Sequence, residues 1–203
     1  AILYLGPLSV AVGRRRLVAD IHIYTGLALP VPILLGWLRA SFRLDARRLN
    51  RFTRDDWRWL SSRTRRDGRI PVGKFNAGQK LNAAFTVGAI GVMLGTGLIM
   101  RFANGWPVSY RTGATFVHDW LAYGIAAVIA GHLYFAGKDP TSRGGMRTGR
   151  VPRGWARREH AAWLRELDAL EEQAREPRQV EGRDARAGAR TAGDGSSTED
   201  HRP

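Results

Sequence analysis

The chain has 203 residues, 32 Lys and Arg against 18 Asp and Glu, and a formal net charge of +14. That length suits one ordinary domain or a small membrane bundle. It contains no cysteine, which excludes thiolate-ligated haem, covalent haem attachment and any iron–sulfur cluster held by this chain itself.

The mean hydropathy is only slightly negative, but it hides strong segregation along the chain. Residues 1–13 (AILYLGPLSVAVG) are apolar yet too short to cross a bilayer alone. They do not read as a signal peptide, having no charged leader, and are expected to be the end of a first transmembrane helix. Residues 17–38 (LVADIHIYTGLALPVPILLGWL), 81–100 (LNAAFTVGAIGVMLGTGLIM) and 116–136 (FVHDWLAYGIAAVIAGHLYFA) are almost free of charge. Each is close to the roughly 20 residues a helix needs to span the hydrocarbon core. Single apolar crossings of this kind must be helical, because every backbone polar group has to be satisfied within its own segment. The expected fold is therefore all-α: a transmembrane four-helix bundle over 1–136, its first helix truncated at the N-terminus. A cytoplasmic amphipathic segment (137–176) and a disordered tail (177–203) rich in Gly, Arg, Asp, Ser and Thr follow.

Within this plan Pro30 and Pro32 should kink the second helix. The third helix carries Gly88, Gly91, Gly95 and Gly97, which lets neighbouring helices or a flat cofactor approach its backbone closely. The loop 39–80 holds thirteen Lys and Arg against four Asp, whereas 101–115 holds only Arg101 and Arg111. The positive-inside rule then puts 39–80 and the Arg-rich C-terminus in the cytoplasm and 101–115 outside. The cluster Arg14–Arg15–Arg16 falls on the outer side, a minor violation. Because the charge flanks hydrophobic spans, it reads as membrane topology, and no nucleic-acid partner is expected. In the basic loop, Leu44, Leu49, Phe52, Trp57 and Trp59 could dip into the membrane interface, or the loop could be a solvated connector.

Three histidines lie within spans, where an ionisable side chain is a functional hypothesis by default. His118 and His132 are fourteen residues apart, so they project from one helix face within roughly 40° and about 21 Å apart along the axis. The second and fourth helices run in the same direction. His22 and His118 stand five and two residues past the starts of their spans, so their depths differ by only about 4–5 Å near the outer surface. Two imidazoles from facing helices at one depth suit the two axial positions of a haem iron. Zinc or copper would call for further ligands, which are not nearby; Asp20 and Asp119 read equally well as outer-surface or supporting groups. His132 is left near the inner surface, and its partner is expected from the missing part of the first helix. Two b haems stacked across the membrane would make an electron path. The alternative is a haem-free membrane scaffold or transporter subunit in which the histidines pack against neighbouring helices. His160, in WARREHAAW, is expected to be solvated or interfacial, and His201 carries no signal.

Three stretches carry a resemblance: GKFNAGQK (73–80), HDWLAYGIAAVIAGHLYFA (118–136) and MRTGRVPRGWARREHAAW (146–163). Together they resemble the cytochrome b (gamma) subunit of membrane-bound respiratory formate dehydrogenases, over roughly residues 1–165. The resemblance implies a multi-pass subunit of the bacterial cytoplasmic (inner) membrane with two b haems, His22 and His118 serving the outer one and His132 the inner one. It implies a cytoplasmic-side site where quinone is the electron acceptor, at positions matching Asn76 and Gly78. Gln79 adds a further hydrogen-bonding group there, and the other role open to Asn76 and Gln79 is helix N-terminal capping. The partners implied are an iron–sulfur subunit at the outer face and a molybdenum- or tungsten-containing catalytic subunit behind it. Two departures stand out. No first-helix histidine is present, and the family's His–His pair after the WARE-like motif reads His160–Ala161 here. Related b-type subunits serve nickel–iron hydrogenases and other molybdoenzymes, so formate is not the only donor consistent with these residues.

Overall fold

The computed structural model describes residues 15–64 and 68–194, with side chains described for 16–64 and 68–177. The helix expected over 1–13 and the tail residues 195–203 lie outside the described residues. Among the described residues all regular structure is helical.

The span containing His22 is split, as its prolines require. Helix α1 (Arg15–Ala28) ends in a turn, and α2 (Val31–Trp37) restarts with Pro30 at its N-cap and Pro32 in its first turn. Proline is tolerated there because the first turn has no intrahelical use for its missing N–H. An extended Arg39 then redirects the chain into α3 (Ala40–Asn50), and α4 (Arg54–Ser61) follows.

The two longest spans are α5 (Ala77–Arg101) and α6 (Val108–Lys138), joined by a single 3-10 turn at Ala103–Gly105. So short a connection makes them antiparallel neighbours, and they form the main packing pair. Helix α6 starts eight residues earlier than its apolar run suggests, because Pro107 at its N-cap fixes the start and nothing in Val108–Thr115 breaks a helix. Ala89 and Ala114 are buried between elements. Large side chains instead point away from the protein: Leu34 is 66%, Trp120 64% and Phe135 67% exposed. Helices apolar on their outward faces have lipid as their solvent, and three segments, Arg16–Trp37, Ala77–Arg101 and Val108–Lys138, are long and apolar enough to cross.

The remaining elements are α7 (Pro140–Thr148), closed by Gly149 in the left-handed conformation (φ 69°), α8 (Arg153–Glu159) and α9 (Ala161–Asp194). The backbone of α9 continues past Pro177 to Asp194, through the stretch that composition reads as a tail.

The basic loop is ordered by buried polar contacts. Lys80 Nζ reaches Asp56 Oδ2 at 2.7 Å, Oδ1 at 2.9 Å and the Arg51 carbonyl at 2.9 Å. Thr53 donates to the same carboxylate from its backbone N–H (2.7 Å) and its hydroxyl (2.9 Å). Burial by itself would raise the Asp56 pKa, but the Lys80 and Thr53 hydrogen bonds outweigh it and hold the carboxyl below its ordinary value. The buried pair pins α4 to the first turn of α5.

His160 is a second anchor, and here the sequence expectation fails. The side chain is buried, only 6% exposed, with Nδ1 2.7 Å from the Gly73 carbonyl and its ring between Trp155 and Trp163. Beside it, the Ala162 N–H donates to the Val72 carbonyl at 3.0 Å. The Arg48–Glu166 and Lys74–Asp45 ion pairs tie α3 to α9 and to the segment leading into α5.

Candidate functional site

His22 and His118 meet near the end of the bundle that carries the α5–α6 connection. Their ring centres are 6.1 Å apart and their planes 77° apart. His118 is buried, 8% exposed, whereas His22 is open on α1. Helix α1 packs on α5, and α5 on α6, so the middle helix sets the spacing of the two that carry the histidines.

Helix α5 also fixes how His118 is held. Thr96 Oγ1 lies 2.9 Å from His118 Nδ1 and 2.7 Å from the Val92 carbonyl, one turn back on its own helix. A hydroxyl has one hydrogen, and the carbonyl can only accept. With the Thr96 hydrogen directed to Val92, its oxygen accepts the Nδ1–H of His118. That tautomer leaves Nε2 with a free lone pair, the arrangement a metal-ligating imidazole needs. Gly97 adds room: a Cβ there would stand 3.6 Å from His118 Cε1, in ordinary contact.

His22 and His118 come together from two membrane-crossing helices with ring centres 6.1 Å apart, and a pair of imidazoles is a donor set that would suit a b-type haem.

His132 lies on the same helix toward the opposite membrane surface. It is exposed on α6.

Asn76, Gly78 and Gln79 come together at the N-terminus of α5, at the same end of the α5–α6 pair as His132. Asn76 is the N-cap: its Oδ1 accepts from the Gln79 N–H at 2.9 Å, and Gln79 Oε1 accepts from the Asn76 N–H at 2.9 Å. This reciprocal capping box satisfies two otherwise orphaned amides. It occupies the side-chain oxygens and leaves the two NH₂ groups as donors. Gly78 lies beneath Trp59, since a Cβ there would be 3.5 Å from Trp59 Cζ3 and Cη2. Trp59 therefore roofs the helix start instead of dipping into lipid, and the buried Asp56–Lys80 pair sits one turn deeper.

Sequence reasoning did not find Thr96, Trp59 or the Asp56–Lys80 pair. Thr96 had a faint signal, a hydroxyl between two glycines in an apolar span; the ion pair joins residues 24 positions apart and had none.

Residues 2–143 match the family model described as prokaryotic cytochrome b561. Among curated proteins the chain is similar to the cytochrome b556(Fdn) subunits of the nitrate-inducible formate dehydrogenases of Escherichia coli (strain K12), Escherichia coli O157:H7 and Shigella flexneri. Each is 34% identical over 103 residues, covering 49% of this chain and 48% of the relative. The chain thus spans about half the length of the curated relatives it matches. With three apolar crossing helices and a family match over most of its length, the chain belongs to the prokaryotic cytochrome b561 family, membrane electron-transfer proteins that carry b-type haem.

Proposed function

We propose that this chain is the membrane electron-transfer subunit of a formate dehydrogenase-like complex, taking electrons from an iron–sulfur partner and delivering them to quinone. The observation that carries the reading is the 6.1 Å approach of the His22 and His118 rings from two membrane-crossing helices, where the two imidazoles would hold a haem. Haem bound there supplies a one-electron carrier inside the membrane.

The chain's own residues do the rest. His22 and His118 hold the outer haem, and Thr96 fixes the His118 tautomer and ring plane. His132 supplies one ligand to an inner haem, whose second ligand comes from the first transmembrane helix. At the start of α5, the NH₂ groups of Asn76 and Gln79 would donate to quinone carbonyls, and Gly78 keeps the backbone close under Trp59. The relatives named as formate dehydrogenase cytochrome subunits support this reading, in which an iron–sulfur partner docks at the face bearing the α5–α6 connection and a molybdenum or tungsten catalytic subunit lies beyond. The arginine-rich 39–80 segment and the C-terminus lie in the cytoplasm, by the positive-inside rule, and the membrane is the bacterial inner membrane.

Reduced-minus-oxidised spectroscopy of membranes containing the protein tests this. A b-type α-band that His118→Ala diminishes is expected. No such band, or one unchanged by the substitution, contradicts the reading.

A further inference from the structure

Away from the histidines, an open groove of about 420 Å³ lies where the Arg16–Trp37 crossing ends. It is lined by Trp37, Arg43, Ala46, Arg47, Asn50 and Arg51. We propose that this groove binds the phosphate headgroup of an anionic phospholipid.

Position comes first. The apolar segment Arg16–Trp37 ends at Trp37, and Trp37 is 54% exposed, the placement of an indole at headgroup level. Arg39 is extended and turns the chain into α3, so the groove opens at the membrane boundary. Arg43 and Arg47 are one turn apart on α3, and Arg51 follows directly after its end; residues spaced by four share a helix face. Arg43 Nη1 donates to the Trp37 carbonyl at 2.8 Å, locking the guanidinium against the end of the span.

Charge comes second. The carboxylate of α3, Asp45, lies on another face, taken up by Lys74 and Arg48. None of Arg43, Arg47 and Arg51 forms an ion pair with a described carboxylate. Three uncompensated guanidinium groups around one concavity repel each other unless an anion joins them, and planar forked donors match phosphate oxygens. Asn50 adds a neutral hydrogen-bonding group. The neighbouring apolar surface selects a lipid over a soluble anion: Leu38, next to Trp37, is 78% exposed and Leu44 47%, which offers acyl chains a surface beside the headgroup. Basic clusters just outside a crossing helix attract anionic lipids by about this logic.

The test uses the full chain purified in a mild non-ionic detergent and titrated with phosphatidylglycerol or phosphatidylcholine of matched acyl chains, bound lipid being read by native mass spectrometry. Phosphatidylglycerol should be retained preferentially, and Arg47→Gln with Arg51→Gln should weaken it by about thirtyfold. The charge-keeping pair Arg47→Lys with Arg51→Lys should keep most of the binding, and its helical circular dichroism, like that of the glutamine pair, should equal wild type. Arg157→Gln with Arg158→Gln, an exposed basic pair on α8, should change nothing. Equal retention of both lipids, an equal loss from the α8 pair, or displacement of phosphatidylglycerol by the same concentration of inorganic phosphate would each overturn the proposal.

Discussion

Thr96 Oγ1 stands 2.9 Å from His118 Nδ1 while giving its own hydrogen to the Val92 carbonyl at 2.7 Å. A residue of α5 thereby sets the proton position and ring plane of a histidine on α6. Outer partners of this kind commonly govern metal affinity by 10–100-fold. Thr96→Val preserves shape and removes the acceptor, so His118 should lose haem affinity by about one order of magnitude or more. Thr96→Ser should restore it. Retained b haem per protein, and the midpoint potential of what remains, distinguish this from a packing defect, which serine would not repair.

The start of α5 uses both amide side chains as caps, and the proposed quinone site would use their NH₂ groups as donors. Asn76→Asp keeps the oxygen that accepts the Gln79 N–H and removes the NH₂ group. The helix should therefore stay intact by circular dichroism while quinol-driven haem reduction slows by about tenfold, the loss of one hydrogen bond to a polar ligand. Asn76→Ala should impair both, since an N-cap is worth about 1 kcal/mol. Equal quinol kinetics in wild type and Asn76→Asp would remove Asn76 from the quinone site.

Asp56 and Lys80 are a buried pair, 7% and 8% exposed. Lys80→Met leaves the carboxylate with only its Thr53 partners and should destabilise the protein by about 3 kcal/mol. The pH dependence follows from the lowered Asp56 pKa. A carboxyl depressed on folding adds stability that is complete above its unfolded value, about 3.9, and is lost as pH falls through the folded value. Thermal unfolding midpoints should therefore be insensitive to this pair near neutrality and fall below about pH 4, with Asp56→Asn flattening that part of the curve.

His160 ties the C-terminal helices to Gly73, three residues before the Asn76 cap. His160→Ala leaves that carbonyl without its imidazole partner and opens space between Trp155 and Trp163. A loss of about 1–3 kcal/mol is expected, together with faster limited proteolysis at the α8–α9 junction. Unchanged cleavage would mean that the Val72 backbone contacts alone hold the junction.

Much of the membrane part was legible because lipid imposes simple rules: crossing lengths, the proline break and the common depth of His22 and His118 all follow from 1.5 Å per residue and 20-residue spans. The contacts outside the membrane spans were not. His160 looked solvated because its partner, the Gly73 carbonyl, is 87 positions away, and no local pattern announces it. Asn76 and Gln79 read equally as caps or ligands, and the structure shows the capping; the caps use only the side-chain oxygens, which leaves the NH₂ groups for the second role. Thr96 escaped notice because a lone threonine in an apolar helix usually bonds to its own backbone. It does that here too, and the same oxygen also meets His118.

The central claim is that His22 and His118 share one iron. Haem content per polypeptide, measured by pyridine haemochrome on His22→Ala, His118→Ala and the double variant, tests it most directly. Shared ligation requires each single variant to lose the same one haem and the double variant to lose no more. Single variants that keep their haem, or a double variant that loses twice as much as either, would contradict it.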